Sequence, residues 1–264
     1  MVQSSHPAPA DHQPLISNRF VLILTGLVVL LAMASALITF GGHRLGERLA
    51  LAGHTTSTTL YTITIGQDRL QLAANTLRFE SQRHNGASDR ADLYLSWPQM
   101  TGYSLDGRRR FDDITLSATL IFAQLSQSTM SRDMSGRLEP IYSHLFSSLP
   151  EKGPYGLTMH RLKPESGYQN EVLYTASRPG QPDYAVRCLL PTENTAASSG
   201  DCQRDVHVGR DLSLLYRFSR DLLADWQRLD IAMENYVAER LVNGSANPEQ
   251  FNKNLPTVKT NPSS

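Results

Sequence analysis

The strongest constraint on this chain is an uncharged apolar stretch near its N-terminus, residues 20–40, with the sequence FVLILTGLVVLLAMASALITF. The charges that bound this stretch are Arg19 and Arg44. About 20 helical residues span the roughly 30 Å hydrocarbon core of a bilayer. In lipid every backbone polar group must be satisfied within the segment, which a helix achieves. The sequence therefore predicts a transmembrane helix at residues 19–42, in contact with lipid through residues 20–40.

A cleaved signal peptide is the alternative interpretation of the same stretch. Residues 34–36, Ala-Ser-Ala, have the small side chains of a signal-peptidase site. The apolar run nevertheless continues through Leu37 and Phe40, where a cleaved signal would turn polar. An uncleaved anchor is therefore the preferred interpretation, and a soluble protein that begins at Leu37 is the alternative.

The rest of the chain divides by composition and periodicity. The chain has 264 residues and a formal net charge of +0, so its charge does not indicate a nucleic-acid or anionic-lipid partner. The roughly 190 residues outside the anchor and the two tails are enough for one hydrophobic core. We predict a disordered leader at 1–18, a juxtamembrane helical stem at 43–57, a β-rich globular domain at 58–243 and a disordered tail at 244–264.

Alternating apolar and polar residues predict antiparallel strands through most of the domain. Residues 58–65 and the run after Gly66-Gln67-Asp68 form a hairpin pattern, and the clearest alternation lies at residues 114–122. An amphipathic helix closes the domain, with Ser219 as its N-cap. Its apolar stripe consists of Leu222, Trp226, Leu229, Met233, Val237 and Leu241. The predicted fold class is α+β and β-rich: a transmembrane helix, then an antiparallel-sheet domain with a C-terminal amphipathic helix.

Two cysteines, Cys188 and Cys202, lie at the base of a polar loop between two predicted strands. We predict a disulfide, which in the chain-entropy model stabilises a loop of this length by about 3 kcal/mol. Two unrelated buried thiols are the alternative. Such a bond persists in an oxidising compartment, so we expect the domain in the periplasm of a bacterium and the anchor in the inner membrane. The flanking arginines, Arg19 before the anchor and Arg44 and Arg48 after it, favour the opposite orientation by a small count.

No catalytic or cofactor motif is present. The chain lacks GxSxG, HExxH, CxxC, Walker and GxGxxG patterns, and its sequence supports no metal or cofactor site. His144, His160 and His207 are scattered over separate elements, and convergence with Glu171 or Asp205 is not predicted by their spacing. Two aromatic residues, Trp97 and Tyr103, form either a sugar-stacking face or, as aromatic residues at strand ends usually do, part of the core.

The polar segment MSRDMSGRLEPIY is the candidate interaction loop. Its charged residues Arg132, Asp133, Arg137 and Glu139 alternate in sign within a short span. Functional residues are common in loops on rigid scaffolds, so a binding role is one interpretation. A loop whose charges satisfy one another is the other.

Several stretches resemble an uncharacterised family of alphaproteobacterial proteins with a single transmembrane anchor. They are HRLGERLALAGHT, LYTITIG, RADLYLSWPQMTGYS, MSRDMSGRLEPIY, SGYQNEVLY and LSLLYRFSRDLLADW. The resemblance covers most of the chain outside the tails. It implies a place in the bacterial envelope and assigns no activity or site residue.

The sequence alone therefore favours a membrane-anchored, periplasm-facing envelope protein that serves as a binding or accessory module. Its expected partner is an envelope protein or a glycan. An anchored cell-envelope enzyme or glycan-binding module is the alternative, supported only by aromatic and carboxylate side chains that would have to converge in space.

Overall fold

The computed structural model describes residues 18–50, 53–168, 170–190 and 196–242. In the first range it describes the side chains of residues 19–37, and it leaves out those of Ile114, Thr115 and Ser117. The predicted leader and tail lie outside these residues, apart from Asn18. The chain divides into two compact units, Met1–Ala52 and Gly53–Ser264.

The first unit contains a single described helix, α1 (Asn18–Ala50). Its segment Arg19–Leu37 has a mean hydropathy of 2.7, and it is the one helix among the described residues that is long and apolar enough to cross a membrane. The helix continues without a break into the predicted stem. After it, Gly53 adopts a φ of +86°, a conformation suited to glycine and common just beyond helix ends.

The second unit is an antiparallel β-rich domain with a C-terminal helix, as predicted. Its strands and helices are β1 (Leu60–Ile65), β2 (Asp68–Ala73), β3 (Gly86–Ala87), β4 (Arg90–Ser96), α2 (Arg108–Asp112), β5 (Leu120–Gln127), β6 (Glu151–Lys152), β7 (Thr158–Arg161), β8 (Glu171–Ala176), β9 (Tyr184–Leu189), β10 (Cys202–Val208), β11 (Leu212–Phe218) and α3 (Trp226–Ala238). A large sheet has the order β4-β5-β11-β10-β9-β8-β7-β6, and a small sheet has the order β2-β1-β3.

The predicted hairpin is confirmed as β1 and β2, which pair antiparallel across a turn at Gly66 and Gln67. Its apolar residues Ile63, Ile65, Leu70 and Leu72 are buried in the main core. They pack there with the inward residues of the large sheet and the apolar stripe of α3. The hairpin and α3 therefore cover the same face of the large sheet, which we call the inner face.

The C-terminal helix is confirmed, with one refinement at its start. The Ser219 side chain accepts a hydrogen bond from the Asp221 backbone N–H at 3.2 Å, as expected of an N-cap. The first turns, Arg220–Asp225, are a 3-10 helix, and α3 follows from Trp226. Most of the predicted stripe is buried: Trp226, Leu229, Met233 and Val237.

The predicted strand at residues 114–122 is wrong. Ile114–Thr119 form a 3-10 helix, and β5 runs from Leu120 to Gln127. The inward positions of β5 are Ile121, Ala123 and Leu125, so Phe122 faces the opposite way. The pairing of β5 with β11 sets this register, because it places Ala123 and Leu125 opposite residues of β11 that lie in the main core.

Candidate functional site

The face of the large sheet opposite the hairpin and α3, which we call the outer face, has two different halves. On β8 and β9 its outward residues Leu173 and Ala185 are fully buried. They form a second apolar cluster with Met134 and Tyr142, from the segment that follows β5. We call the outward positions of β8 and β9 the covered half, because the chain itself packs over the two central residues, Leu173 and Ala185.

The outward positions of β5 and β11 form the open half. Their side chains pair across the two strands in register: Phe122 with Arg217, Gln124 with Leu215, and Ser126 with Ser213. Each of these side chains is half-buried or exposed. Two apolar residues, Phe122 and Leu215, therefore remain accessible among polar neighbours.

Two adjoining cavities lie on the open half and share Gln124 and Leu215 as lining residues. We call them together the groove. The first has a volume of about 270 Å³ and the second about 220 Å³. The first is lined by arginines and phenylalanines from β4, β5, β11 and the segment before β4: Arg78, Phe79, Arg90, Phe122 and Arg217. The second is lined mainly by polar residues, including Ser126, Arg137, Asp205, His207 and Ser213.

The first cavity, which we call the arginine end, has an excess of positive charge. Its lining contains three arginines and one carboxylate, Asp92. Arg90 lies 3.0 Å from that carboxylate. The guanidinium carbon of Arg78 lies 5.2 Å from the ring centroid of Phe79 and 4.9 Å from that of Phe122. Within the described part of the chain, neither Arg78 nor Arg217 has a carboxylate partner.

The candidate interaction loop is largely satisfied internally. Asp133 accepts a hydrogen bond from the Gly136 backbone N–H at 2.9 Å, and Arg132 donates to the Gly136 carbonyl at 3.5 Å. Arg137 forms an ion pair with Asp205 of β10 at the second cavity. Glu139 and Arg132 are exposed. The segment thus carries part of the second apolar cluster and contributes Arg137 to the groove, and its binding role stays a prediction.

His207 and Asp205 lie two residues apart on the outer face of β10 and line the second cavity together. His207 Nε2 lies 2.9 Å from the Ser128 hydroxyl, which donates to the Met130 carbonyl at 2.9 Å. A hydroxyl has one proton, and when Ser128 donates it to the carbonyl, Nε2 carries the hydrogen and donates to Ser128. In that arrangement His207 does not activate the serine as a nucleophile.

The other predicted histidines lie elsewhere. His160 bonds Thr175 Oγ1 at 2.9 Å and stacks on Phe146, and burial lowers the pKa of its imidazole. His144 is exposed, and Glu171 forms an ion pair with Arg187. Among the described residues, no group of three His, Cys, Asp or Glu side chains is placed to hold a metal ion.

The aromatic pair that suggested glycan binding is buried. Trp97 is 7% exposed and donates from Nε1 to Asp225 at 3.3 Å. Tyr103 is 2% exposed and stacks on His54, with 4.6 Å between the ring centroids. Burial of both rings rules out the sugar-stacking face that was the first of the two interpretations, and these residues belong to packed structure.

A buried ionic network, which was not predicted from the sequence, lies at β10, between the strands of the open half and those of the covered half. Arg204 of β10 and Asp230 of α3 are each 1% exposed and joined by a 2.8 Å contact between Nε and Oδ1. The same carboxylate accepts from the Tyr216 hydroxyl at 2.5 Å and from Arg178 at 2.8 Å. Burial alone would raise the pKa of Asp230, but Arg204 and the other donors outweigh burial and lower it.

The network joins β9 to β10 beyond the short stretch in which the two strands pair. β9 and β10 pair only at Cys202–Cys188 and Gln203–Arg187. Beyond these pairs, Arg204 donates to the Ala185 carbonyl and to the Ser135 hydroxyl, each at 2.9 Å. The arginine therefore links β9, β10, α3 and the covering segment. Its inward register between Cys202 and Val206 was the sequence signal, because a charged residue at a core position of a strand needs a buried partner.

The predicted disulfide is present. Cys188 and Cys202 lie directly opposite one another on β9 and β10, with an S–S distance of 2.04 Å. The bond joins the strand that bears part of the covered half to the strand beside the open half.

Comparison with known proteins gives no family and no function. No family model and no curated protein matches the chain. Among solved structures, Smlt3025, an immunity protein of the Stenotrophomonas maltophilia type IV secretion system, matches with 16% identity and a TM-score of 0.48, over 72% of this chain and 96% of that one. The Neisseria meningitidis iron-regulated outer membrane lipoprotein FrpD matches with 10% identity and a TM-score of 0.41, over 70% and 95%. No functional conclusion follows from similarities this distant.

Proposed function

We propose that this chain is a membrane-anchored bacterial envelope protein whose domain faces the periplasm and binds another envelope protein through the open half of its large sheet. The role is that of a binding or accessory module. The resemblance of the sequence to a family of anchored bacterial proteins supports the envelope placement, and membership of that family is itself a proposal.

Two observations support the placement. The segment Arg19–Leu37 has the length and hydropathy of a membrane span, which suits an anchor and also a signal sequence. The Cys188–Cys202 disulfide suits an oxidising compartment. Both observations are compatible with an inner-membrane anchor and a periplasmic domain.

The proposal of binding rests on the open half of the outer face. On one half of the outer face Leu173 and Ala185 are buried under the chain's own residues, whereas Phe122 and Leu215 on the other half remain accessible beside the groove. Accessible apolar side chains with polar neighbours, next to concave surface, are features of protein interaction sites. The site lacks an activated nucleophile and, within the described residues, a metal cluster, so binding fits its chemistry better than catalysis.

Site-specific photocrosslinking in living cells tests this function. A photoreactive amino acid replaces Gln124 in the groove or, as the control, Ile231, which is 59% exposed on α3. We expect a discrete adduct with one envelope protein from position 124 and not from position 231. Absence of an adduct at position 124, or the same adducts from both positions, would contradict a binding role for the open half.

A further inference from the structure

We propose that the arginine end of the groove binds a carboxylate-rich segment of the partner protein, with Arg78 and Arg217 as the residues that contact its carboxylates. This inference rests on the proposed function and adds the chemistry of the partner. It concerns two arginines that, within the described residues, have no carboxylate partner.

The arginine end differs in charge from the chain as a whole. The whole chain is formally neutral, yet the arginine end has three guanidinium groups and one carboxylate. The one carboxylate, Asp92, is close to Arg90 at 3.0 Å. Within the described residues, Arg78 and Arg217 are left without a carboxylate. Two unneutralised cations beside one cavity create a local positive potential that favours an acidic ligand.

The Arg78 side chain is held in place by its neighbours, and Arg217 lines the same cavity. The Arg78 backbone N–H donates to the Asp92 carbonyl at 2.8 Å, and its guanidinium lies over Phe79 and Phe122. Arg217 lies directly opposite Phe122 on the neighbouring strand. Stacking on a ring leaves the N–H edge of a guanidinium available, and that edge matches a carboxylate with two parallel hydrogen bonds. A positioned side chain also loses less entropy on binding.

The distribution of charge along the groove indicates the class of partner. The positive charge is confined to one end, because in the second cavity Arg137 is already paired with Asp205, and the other lining residues include Ser126 and Ser213. A nucleic acid would require a continuous basic stripe, which the groove lacks. A protein segment with clustered Asp or Glu residues, followed by uncharged polar or small apolar residues, matches both cavities.

The test is direct binding to the full chain in nanodiscs of phosphatidylcholine, a lipid without net charge. The probe is fluorescein-labelled hexaglutamate, with hexaglutamine as the uncharged peptide, followed by fluorescence anisotropy. We expect hexaglutamate to bind and hexaglutamine to bind far more weakly. Each of Arg78→Gln and Arg217→Gln should raise the Kd by about tenfold, the scale of one lost charge-assisted hydrogen bond. Arg78→Lys, which keeps the charge and removes the fork, should also weaken binding.

The matched control is Arg109→Gln. Arg109 is an exposed residue of α2 outside the groove, and its substitution removes the same charge. We expect its Kd to stay within about twofold of the wild-type value, because exposed charges at a distance are screened. An equal loss with Arg109→Gln would show attraction by overall charge and overturn the assignment. Competition by inorganic phosphate as strong as that by unlabelled hexaglutamate, at constant ionic strength, would show a simple anion site and overturn it as well.

The two proposals fail in distinguishable ways. If position 124 crosslinks to a partner but hexaglutamate does not bind, the binding function stands and the acidic segment is wrong. If hexaglutamate binds through Arg78 and Arg217 but position 124 gives no adduct, the carboxylate site exists and its proposed use in the envelope is wrong.

Discussion

The covered and open halves of the outer face are built from strands of one sheet, and their outward residues differ in kind. The outward residues Leu173 and Ala185 of the covered half are apolar and fully buried beneath Met134 and Tyr142. The open half mixes Phe122 and Leu215 with Gln124, Ser126, Ser213 and Arg217, and none of these is fully buried. The chain packs over the apolar centre of one half, Leu173 and Ala185, and leaves accessible a half in which apolar and polar side chains are mixed.

The boundary between the halves is reinforced covalently and electrostatically. The disulfide joins β9 to β10, and Arg204 bonds β9, α3 and the covering segment. If the comparison is right, substitutions at the boundary and in the covered half cost folding stability, and substitutions on the open half cost binding.

The largest effect is expected from Asp230→Ala. It leaves Arg204 buried without its carboxylate, which should lower the free energy of unfolding by about 3–5 kcal/mol. Urea unfolding of the full chain in mild detergent, followed by the fluorescence of Trp97 and Trp226, measures the change. The matched control Asp89→Ala, at an exposed position, should stay within about 0.5 kcal/mol of wild type. An equally small effect for both would mean that the network does not hold the boundary.

A leucine from each half gives the most direct contrast. Leu173→Ala removes a fully buried side chain and should lower the free energy of unfolding by about 2–5 kcal/mol. Leu215→Ala removes a half-buried side chain and should cost under about 1 kcal/mol, because less apolar area is re-exposed. The same urea titration measures both. Equal losses would show that the open half is also structural.

The disulfide is expected to contribute about 3 kcal/mol, which the double variant Cys188→Ala/Cys202→Ala would lose. Its presence in cells also tests the compartment. Both cysteines are buried, so cells are quenched in acid and denatured before a maleimide gel-shift is carried out with and without reductant. We expect labelling only after reduction. Labelling without reductant would show free thiols and contradict a periplasmic domain.

The smallest effect on stability is expected at the exposed charges of the loop. The substitutions Arg132→Gln and Glu139→Gln should each change the free energy of unfolding by less than about 0.5 kcal/mol. If the loop is an interaction surface, the same variants weaken the crosslink from position 124 while unfolding stays unchanged. A crosslink of wild-type intensity would limit the binding face to the groove.

Local patterns in the sequence predicted the elements that neighbouring residues determine. The β1–β2 hairpin, the Ser219 cap, the stripe of α3 and the pairing of Cys188 with Cys202 all follow from periodicity, capping or short sequence separation. The prediction of a strand at 114–122 was wrong, because Thr and Ser between apolar residues suit a 3-10 turn as well as a strand. The register of β5 is determined by its pairing with β11, which the local sequence does not show.

The candidate site depended on contacts that no local pattern contains. Met134 lies in a segment that looks like a polar loop, yet it packs with Leu173 on the outer face of the sheet. Arg78 and Arg217 are far apart in sequence and line the same cavity because β4, β5 and β11 are neighbours in the large sheet. Single-sequence patterns report which residues share a strand face, and only the fold determines which of those faces remains accessible.

The proposed function requires that a partner occupies the open half in the cell and leaves the solvent-exposed side of α3 uncovered. Hydroxyl-radical footprinting, with mass spectrometry of oxidised peptides, compares the purified full chain with the chain in native membranes. The account predicts that Phe122 and the exposed Met130 are protected in native membranes, each relative to its own rate in the purified chain, while Ile231 reacts equally in both. Equal oxidation of Phe122 and Met130 in the two preparations, or equal protection of Ile231, would contradict it.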